Sequence, residues 1–512
     1  MNDPLRCDLL VVGGGINGAA IARDAAGRGL AVVLCEKADL AAYTSSCSTK
    51  LIHGGLRYLE FGRVGLVRKA LQERDVLLRT APHLVRPLRL LLVHDASMRP
   101  AWMLGAGLWI YDHLGGRTQL PASRRVELRR HRAAAALRGE FHTGFEFSDG
   151  WTDDARLVVT AAVDAAERGA RIHTRTCVTQ AVRGADAWRA TARGPDGRSL
   201  QIEARALVNA TGPWACDFLR DAAAGSGRRL RLVKGSHVVL RRRLDADFAY
   251  VLQAPDRRIA FAIPYEREFT LLGTTEVEFD QDPSQARIDS DEIEYLCALA
   301  NRYLRVPIGR EDIVWSYSGV RPLLDDGADA SAVTRDFALE LDRRAAPLMN
   351  VWGGKITTFR TLAEQAVDAL APLLGCRGGP WTRSAGLPGA DLQVPNNEGC
   401  ADGPPLQNYV LWLRRRYAWL DSAPLERMAQ AYGSRTVELL GSAQRLEDLG
   451  ECFGAGLYEA ELDYLVRKEW ARDASDALWR RSKLGLHLDP PASLKVQRWF
   501  ERQAPLYTGR HS

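Results

Sequence analysis

The feature that most constrains this chain is the run from Cys7 to Glu36. Leu9-Leu10-Val11-Val12 is a short apolar segment that ends in Gly13-Gly14-Gly15-Ile16-Asn17-Gly18. An Ala-rich stretch of helical length follows to Gly29, then Leu30–Leu34 and Cys35-Glu36. The pattern predicts strand, glycine turn, helix, strand and a terminal carboxylate, the unit that binds a dinucleotide. Gly13 permits a tight exit from the strand. Gly15 lets a pyrophosphate approach the backbone, and Gly18 lets the helix pack against the sheet. The helix N-terminus offers N–H groups to phosphate. Glu36 can accept hydrogen bonds from a ribose diol. The loop alone does not separate FAD from NAD.

A chain of 512 residues can hold two or three domains. Hydrophobic content of 46% and charged content of 26% describe a globular protein. Nine cysteines are spread widely, with no C-x-x-C and no ligand cluster, which favours a reducing compartment and argues against a zinc site; no metal is expected. No basic segment with an apolar core precedes the first strand, so no signal peptide is expected. Net charge is a modest +6, with arginines clustered at 129–130, 241–243, 414–416 and 480–481. Such clusters are solvated surface in most proteins, and can also meet anionic lipid or an anionic substrate. No segment interleaves aromatic and basic residues compactly, so no nucleic-acid partner is expected.

After Glu36 comes a loop rich in hydroxyls and glycine that also carries Ser45, Ser46, Lys50, His53, Gly54, Arg57 and Tyr58. Its apolar Leu51, Ile52 and Leu56 suit a loop and short helix lying across a cofactor. A helix is expected over Leu66–Thr80, and another from Trp151–Leu157 to Gly169 with aspartates in its first turn. Arg171–Val178 reads as a strand, and Val182–Leu207 as strand, Gly-containing turn and strand, leading to Asn209-Ala210-Thr211-Gly212. Ile259–Pro264, Thr270–Thr275 and Val277–Phe279 read as a mixed or antiparallel sheet roofing a substrate cavity. Gly353-Gly354-Lys355-Ile356-Thr357 precedes a helix through Leu373 and can aim N–H groups at a ring or phosphate. Ala385–Pro395 reads as a linker, and the remainder from about Leu406 as helical.

The motifs Gly13–Gly18, Ser45–Leu59, Trp151–Leu157, Asn209–Trp214, Lys234–Val238, Gly273–Thr275, Tyr317–Pro322, Gly353–Thr358, Glu461–Glu469 and Asp476–Gly485 together span nearly the whole chain. In them the sequence resembles the FAD-dependent glycerol-3-phosphate dehydrogenases. It departs at Glu276 and Trp352, where bacterial members often have Asp and Phe, and in an Arg/Gly-rich stretch at Gly225–Arg229. The resemblance implies an α/β fold: a glutathione-reductase-like FAD-binding domain, an inserted mixed or antiparallel substrate sheet and a helical C-terminal domain. The expected division is FAD domain over 1–80, 151–233 and 346–385. A substrate- or membrane-facing insertion takes 81–150, the substrate sheet 234–345, a linker 386–405 and the helical domain 406–512.

The implied activity is oxidation of sn-glycerol 3-phosphate to dihydroxyacetone phosphate by hydride transfer from C2 to N5 of non-covalent FAD, with electrons passed to quinone. Glycerol-phosphate oxidation by oxygen and flavin-dependent amine or amino-acid oxidation are the alternatives. Secondary-alcohol oxidation needs a base, a held hydride donor and a grip on the phosphate dianion. His53 is the first candidate base and His237 the second, with Arg321 also in the catalytic set. Arg57, Tyr58, Thr275, Arg321 and Lys355 are expected at the substrate. Gly13, Gly15, Gly18, Glu36, Ser45, Ser46, Lys50, His53, Gly54, Gly212, Gly353, Gly354, Lys355, Ile356 and Thr357 are expected at FAD.

The segment 86–111 contains an uncharged run, Pro100–Tyr111, too short for the roughly 20 residues of a spanning helix. Its Trp102, Trp109 and neighbouring arginines suit an interfacial anchor on an anionic membrane surface. The expectation is a monotopic homodimer on the cytoplasmic face of the cell membrane.

Overall fold

The computed structural model describes residues 3–95, 99–222, 224–225, 227–244, 248–256, 258–325, 336–394 and 403–507. Residues 395–402 of the expected linker, residue 226 of the Gly225–Arg229 stretch, and 245–247, 257 and 326–335 of the expected substrate sheet lie outside them.

Two large sheets organise the chain. The first has the order 337–342, 348–353, 199–209, 5–12, 32–35, 171–173, with strands 177–183 and 188–193 attached beside 199–209. Its centre is parallel: Leu9 lies opposite Ala206 on one side and Val32 on the other. Leu9, Leu10, Val11 and Leu34 are fully buried, the near-continuous apolar run that a sheet covered on both faces requires. Helix Ile16–Gly27 packs between helices Asp154–Glu167 and Phe359–Leu374 in one core. Asp153 caps the helix beginning at Asp154 by accepting from Arg156 N–H.

The second sheet has ten strands among the described residues, including Val85–Val93, Thr143–Thr152, Leu230–Leu240, Phe248–Gln253, Ile259–Tyr265, Phe269–Gly273 and Ile313–Leu324. Strand Val85–Val93 pairs with both Phe248–Gln253 and Thr143–Thr152, so segments 81–150 and 234–345 share one sheet. Phe337–Asp342 instead joins the first sheet, antiparallel to Leu348–Gly353. The expected single strand Arg171–Val178 is two, Arg171–His173 and Cys177–Arg183, broken where Arg175 takes φ +51°.

The C-terminal part comprises helices Pro405–Arg416, Ser422–Tyr432, Thr436–Leu440, Glu459–Glu469 and Pro490–Tyr507 with a small hairpin, around its own core. The described stretch before it is not a solvated linker: Leu387 and Leu392 are buried, and Leu387 N–H donates to Thr80 O at 2.7 Å.

Candidate active site

A cavity of about 610 Å³ lies between the two sheets. On the nucleotide side its wall includes Ile16, Ser45 and Gly353–Thr357; on the other it includes His53, Arg57, Tyr58, Phe261, Thr274 and Arg321.

The glycine turn is built as its spacing requires. Gly13 has φ +111°, and a side chain there would meet Ala210 O at 2.4 Å. A Cβ on Gly18 would lie 1.9 Å from Gly13 O. Helix Ile16–Gly27 begins at Gly15, which has no side chain to cap it; Ser45 Oγ accepts from Ile16 N–H at 3.0 Å. Glu36 is buried behind the turn and accepts from Gly14 N–H at 2.6 Å and Ala38 N–H at 2.8 Å. Burial pushes its carboxyl up, against these two N–H groups. Asn17 Nδ2 donates to Gly353 O at 3.2 Å, which ties the phosphate turn to the second glycine segment. Gly353 and Gly354 have φ +68° and +105°, so backbone alone faces the cavity there.

On the opposite wall Arg321 Nη2 donates to Thr274 Oγ1 at 2.9 Å. Its Nη1 has no hydrogen-bond partner among the described residues, and Glu276 is 3.8 Å away. Burial lowers the Arg321 pKa, yet guanidinium stays charged at neutral pH. Gly235 makes room for it, since a Cβ there would lie 2.5 Å from Nη2. Lys355 Nζ sits 3.8 Å from the Tyr58 ring centroid. His53 N–H donates to Thr357 Oγ1 at 3.2 Å, and its ring meets Phe261 edge-on at 6.5 Å. One cavity therefore holds cationic groups, a half-buried histidine and an apolar wall, an arrangement able to hold a phosphorylated alcohol beside a proton acceptor.

Several expected site residues lie elsewhere. Lys50 is buried with φ +59°; its Nζ donates to Asp154 at 2.8 Å and Ser46 O at 2.7 Å, so it locks the hydroxyl loop and does not line the cavity. His237 is fully buried behind Thr49, with Nε2 3.0 Å from Thr49 Oγ1 and its ring stacked on Tyr317. Burial and the nearby Arg321 charge hold its pKa well below the usual histidine range. Thr275 is buried and donates to Glu292 at 2.6 Å, while its neighbours Thr274 and Glu276 reach the cavity. Ser46 turns back to Tyr43 O, and Gly54 is buried against Leu71 and Tyr111. Gly212 starts a short turn outside the cavity wall, and Gly13, Gly15, Gly18 and Glu36 likewise lie behind that wall and do not line it.

A family model described as "FAD dependent oxidoreductase" matches residues 8–360, and one described as "C-terminal domain of alpha-glycerophosphate oxidase" matches residues 381–497. A glycerol-3-phosphate dehydrogenase of Pseudomonas aeruginosa is 47% identical over 502 residues, covering 97% of this chain and 96% of that one. The chain belongs to the FAD-dependent glycerol-3-phosphate dehydrogenase family. A D-erythritol 1-phosphate dehydrogenase of Brucella abortus is 46% identical over 505 residues, covering 98% of this chain and 99% of that one. The solved glycerol-3-phosphate dehydrogenase of Bacillus halodurans, complexed with FAD, superimposes with a TM-score of 0.74 at 25% identity, covering 98% of this chain and 95% of that one.

The fold is that of an FAD-binding oxidoreductase with a mixed sheet and a helical C-terminal domain, and the cofactor is FAD. The residues present fit it. A glycine turn opens a helix, and two left-handed glycines expose backbone in the same cavity wall as Ile16 and Ser45.

The sequence reading missed a second group that this family member places next to His53. Tyr111, Asp149 and Arg74 are buried beneath Gly54, with Arg74 Nη1 donating to Asp149 at 3.0 Å. No local pattern marks them, because they come from a helix, a strand and another helix.

Proposed function

We propose that this chain oxidises sn-glycerol 3-phosphate to dihydroxyacetone phosphate. The observation that carries this reading is Arg321, whose Nη1 has no hydrogen-bond partner among the described residues and only a 3.8 Å ion pair to Glu276, in the same cavity wall as Lys355, Tyr58, Arg57 and His53. Arg321 and Lys355 grip the phosphate dianion, with Arg57 and Tyr58 completing the clamp. His53 takes the proton of the C2 hydroxyl, a role suited to an imidazole in the cavity wall. FAD, when bound, supplies the two-electron acceptor for the C2 hydrogen. Gly13, Gly15, Gly18 and Glu36 hold the ADP half, and Ser45 and Gly353–Thr357 the flavin half. Anaerobic addition of glycerol 3-phosphate tests the reaction: the flavin absorbance should bleach, and a quinone analogue should restore it. No bleaching would refute the reading.

The phosphate clamp would serve a four-carbon polyol phosphate equally well, and the similarity to D-erythritol 1-phosphate dehydrogenase favours including it as the second substrate. The ratio of kcat/KM for the two phosphates decides between them.

We read quinone as the electron acceptor and the membrane surface as the site of the reaction. Helix Ala101–Leu114 buries Leu104, Leu108 and Tyr111 and exposes Trp102 (74%) and Trp109 (64%), with Met103 and Ile110 beside them. Exposed aromatics on one helix face suit the headgroup layer. Met103, Leu104 and Ile110 also line the cavity, so the helix that we read as the anchor borders that cavity. No helix among the described residues is long and apolar enough to cross a membrane. The arginines expected beside this helix are partly engaged: Arg86 stacks on Trp151 at 4.0 Å and Arg89 pairs with Glu146 at 2.7 Å. The anchor we propose is therefore the helix face alone, on the cytoplasmic side, in a homodimer.

We divide the chain into a glutathione-reductase-like FAD domain, a substrate domain and the C-terminal domain. The parallel centre of the first sheet, with its antiparallel excursion through 177–193, supports the first.

A further inference from the structure

Residues 469–484 of the C-terminal domain reach back into the FAD domain through buried charges. Arg481, fully buried, forks onto Asp39, with Nη1 to Oδ2 at 2.5 Å and Nη2 to Oδ1 at 2.9 Å. Arg480 Nε donates to the same Asp39 oxygen at 2.5 Å and its Nη2 to Asp476. A π-helical turn, Asp476–Arg481, delivers these two consecutive arginines to one carboxylate. Such turns are rare and concentrate at functional positions.

Asp39 lies three residues beyond Glu36, in the segment that supports the phosphate turn from behind. Ala41 N–H donates to Gly14 O at 3.2 Å, and a Cβ on Gly14 would meet the Leu40 side chain at 2.9 Å. Arg175 joins the same lock. Its N–H donates to Ala38 O at 2.8 Å, and its Nη2 to Asp473 at 2.6 Å and Asp476 at 2.8 Å. The glycine turn therefore rests on a segment whose far side is held by another domain.

Burying these charges is a poor route to stability, because apolar residues of similar volume usually do as well. What paired guanidiniums supply is fixed geometry. We propose that the C-terminal domain is a positioning element for FAD: Arg480 and Arg481 hold Asp39, and through it Glu36 and Gly14, in the arrangement that retains the ADP half of the cofactor. They are positioning residues, since neither lines the cavity.

The test uses the FAD-loaded enzyme. Flavin release on dilution is followed by the rise in flavin fluorescence, and unfolding by far-ultraviolet circular dichroism. For Arg480→Gln, which leaves the Arg481 fork intact, release should be about tenfold faster, the order expected for one charge-assisted hydrogen bond. The unfolding midpoint should move little, and KM for the phosphate substrate with excess FAD should stay within about twofold. Arg481→Lys keeps the charge and loses the fork; its release should be faster than that of Arg480→Gln, and a release rate close to wild type would overturn the geometric role of the fork. If Arg480→Gln does not fold, Arg481→Lys carries the same comparison. Unchanged release in the folded variants would overturn the proposal, as would release and unfolding that shift together, which would make the contact merely structural.

Discussion

The Tyr111 hydroxyl accepts a hydrogen bond from Gly54 N–H at 2.8 Å and donates to Asp149 at 2.8 Å. A residue on the helix with the exposed tryptophans thus holds the peptide next to His53. Tyr111→Phe would leave the Gly54 N–H and the Asp149 carboxylate short of a partner inside the protein. We expect a destabilisation of about 1–3 kcal/mol and a fall in kcat larger than any change in KM, read by thermal unfolding and steady-state kinetics. A kcat equal to wild type would dissociate Tyr111 from the catalytic loop.

Burial pushes Asp149 up to about 6, from 3.8 in the unfolded chain. The folded protein therefore binds the extra proton between these values. The contribution of this group to stability is largest below about pH 4 and declines as pH rises through 6, by at most roughly 3 kcal/mol. Asp149→Asn should remove that slope, which denaturant unfolding at pH 4, 5, 6 and 7 would measure. An identical slope in the variant would assign it to another group.

Arg321→Ala should lower kcat/KM for glycerol 3-phosphate by about 10²–10³, the cost of a lost charged contact of about 3–4 kcal/mol. Glycerol itself should be affected far less. An unchanged ratio between the two substrates would remove Arg321 from the phosphate clamp.

His53→Asn should slow flavin reduction by about 10²–10⁴, the range for general base catalysis. Rapid mixing with saturating substrate reads it directly. His237→Asn should leave the pH profile of reduction in place, because His237 is buried behind Thr49. A reduction rate untouched in the His53 variant would end its assignment as base.

Trp102→Glu with Trp109→Glu should weaken liposome co-sedimentation while turnover with a soluble dye persists, since both side chains are exposed. Leu108→Glu, at a buried position of the same helix, should instead lower stability by about 3 kcal/mol or more. Full lipid binding by the double variant would move the anchor to another surface.

The sequence by itself determined the nucleotide-binding unit. Gly13, Gly15, Gly18 and Glu36 act within thirty residues of one another, and chain spacing there is three-dimensional spacing, because a strand, a turn and a helix are local structures. The same holds for the Gly353–Thr357 segment and for the helix beginning at Asp154. What only the tertiary structure decided was the direction and partner of each polar side chain. Lys50 and His237 sit in glycine- and hydroxyl-rich motifs, as site residues do. A left-handed backbone at Lys50 sends its amine to Asp154, 104 residues away, and strand pairing buries His237 behind Thr49. Thr275 and Thr274 are adjacent in sequence, yet only Thr274 meets Arg321, while Thr275 turns inward to Glu292. The Arg481–Asp39 fork joins residues 442 positions apart. No periodicity or spacing encodes such a contact, because it exists only once two independently patterned domains have packed together.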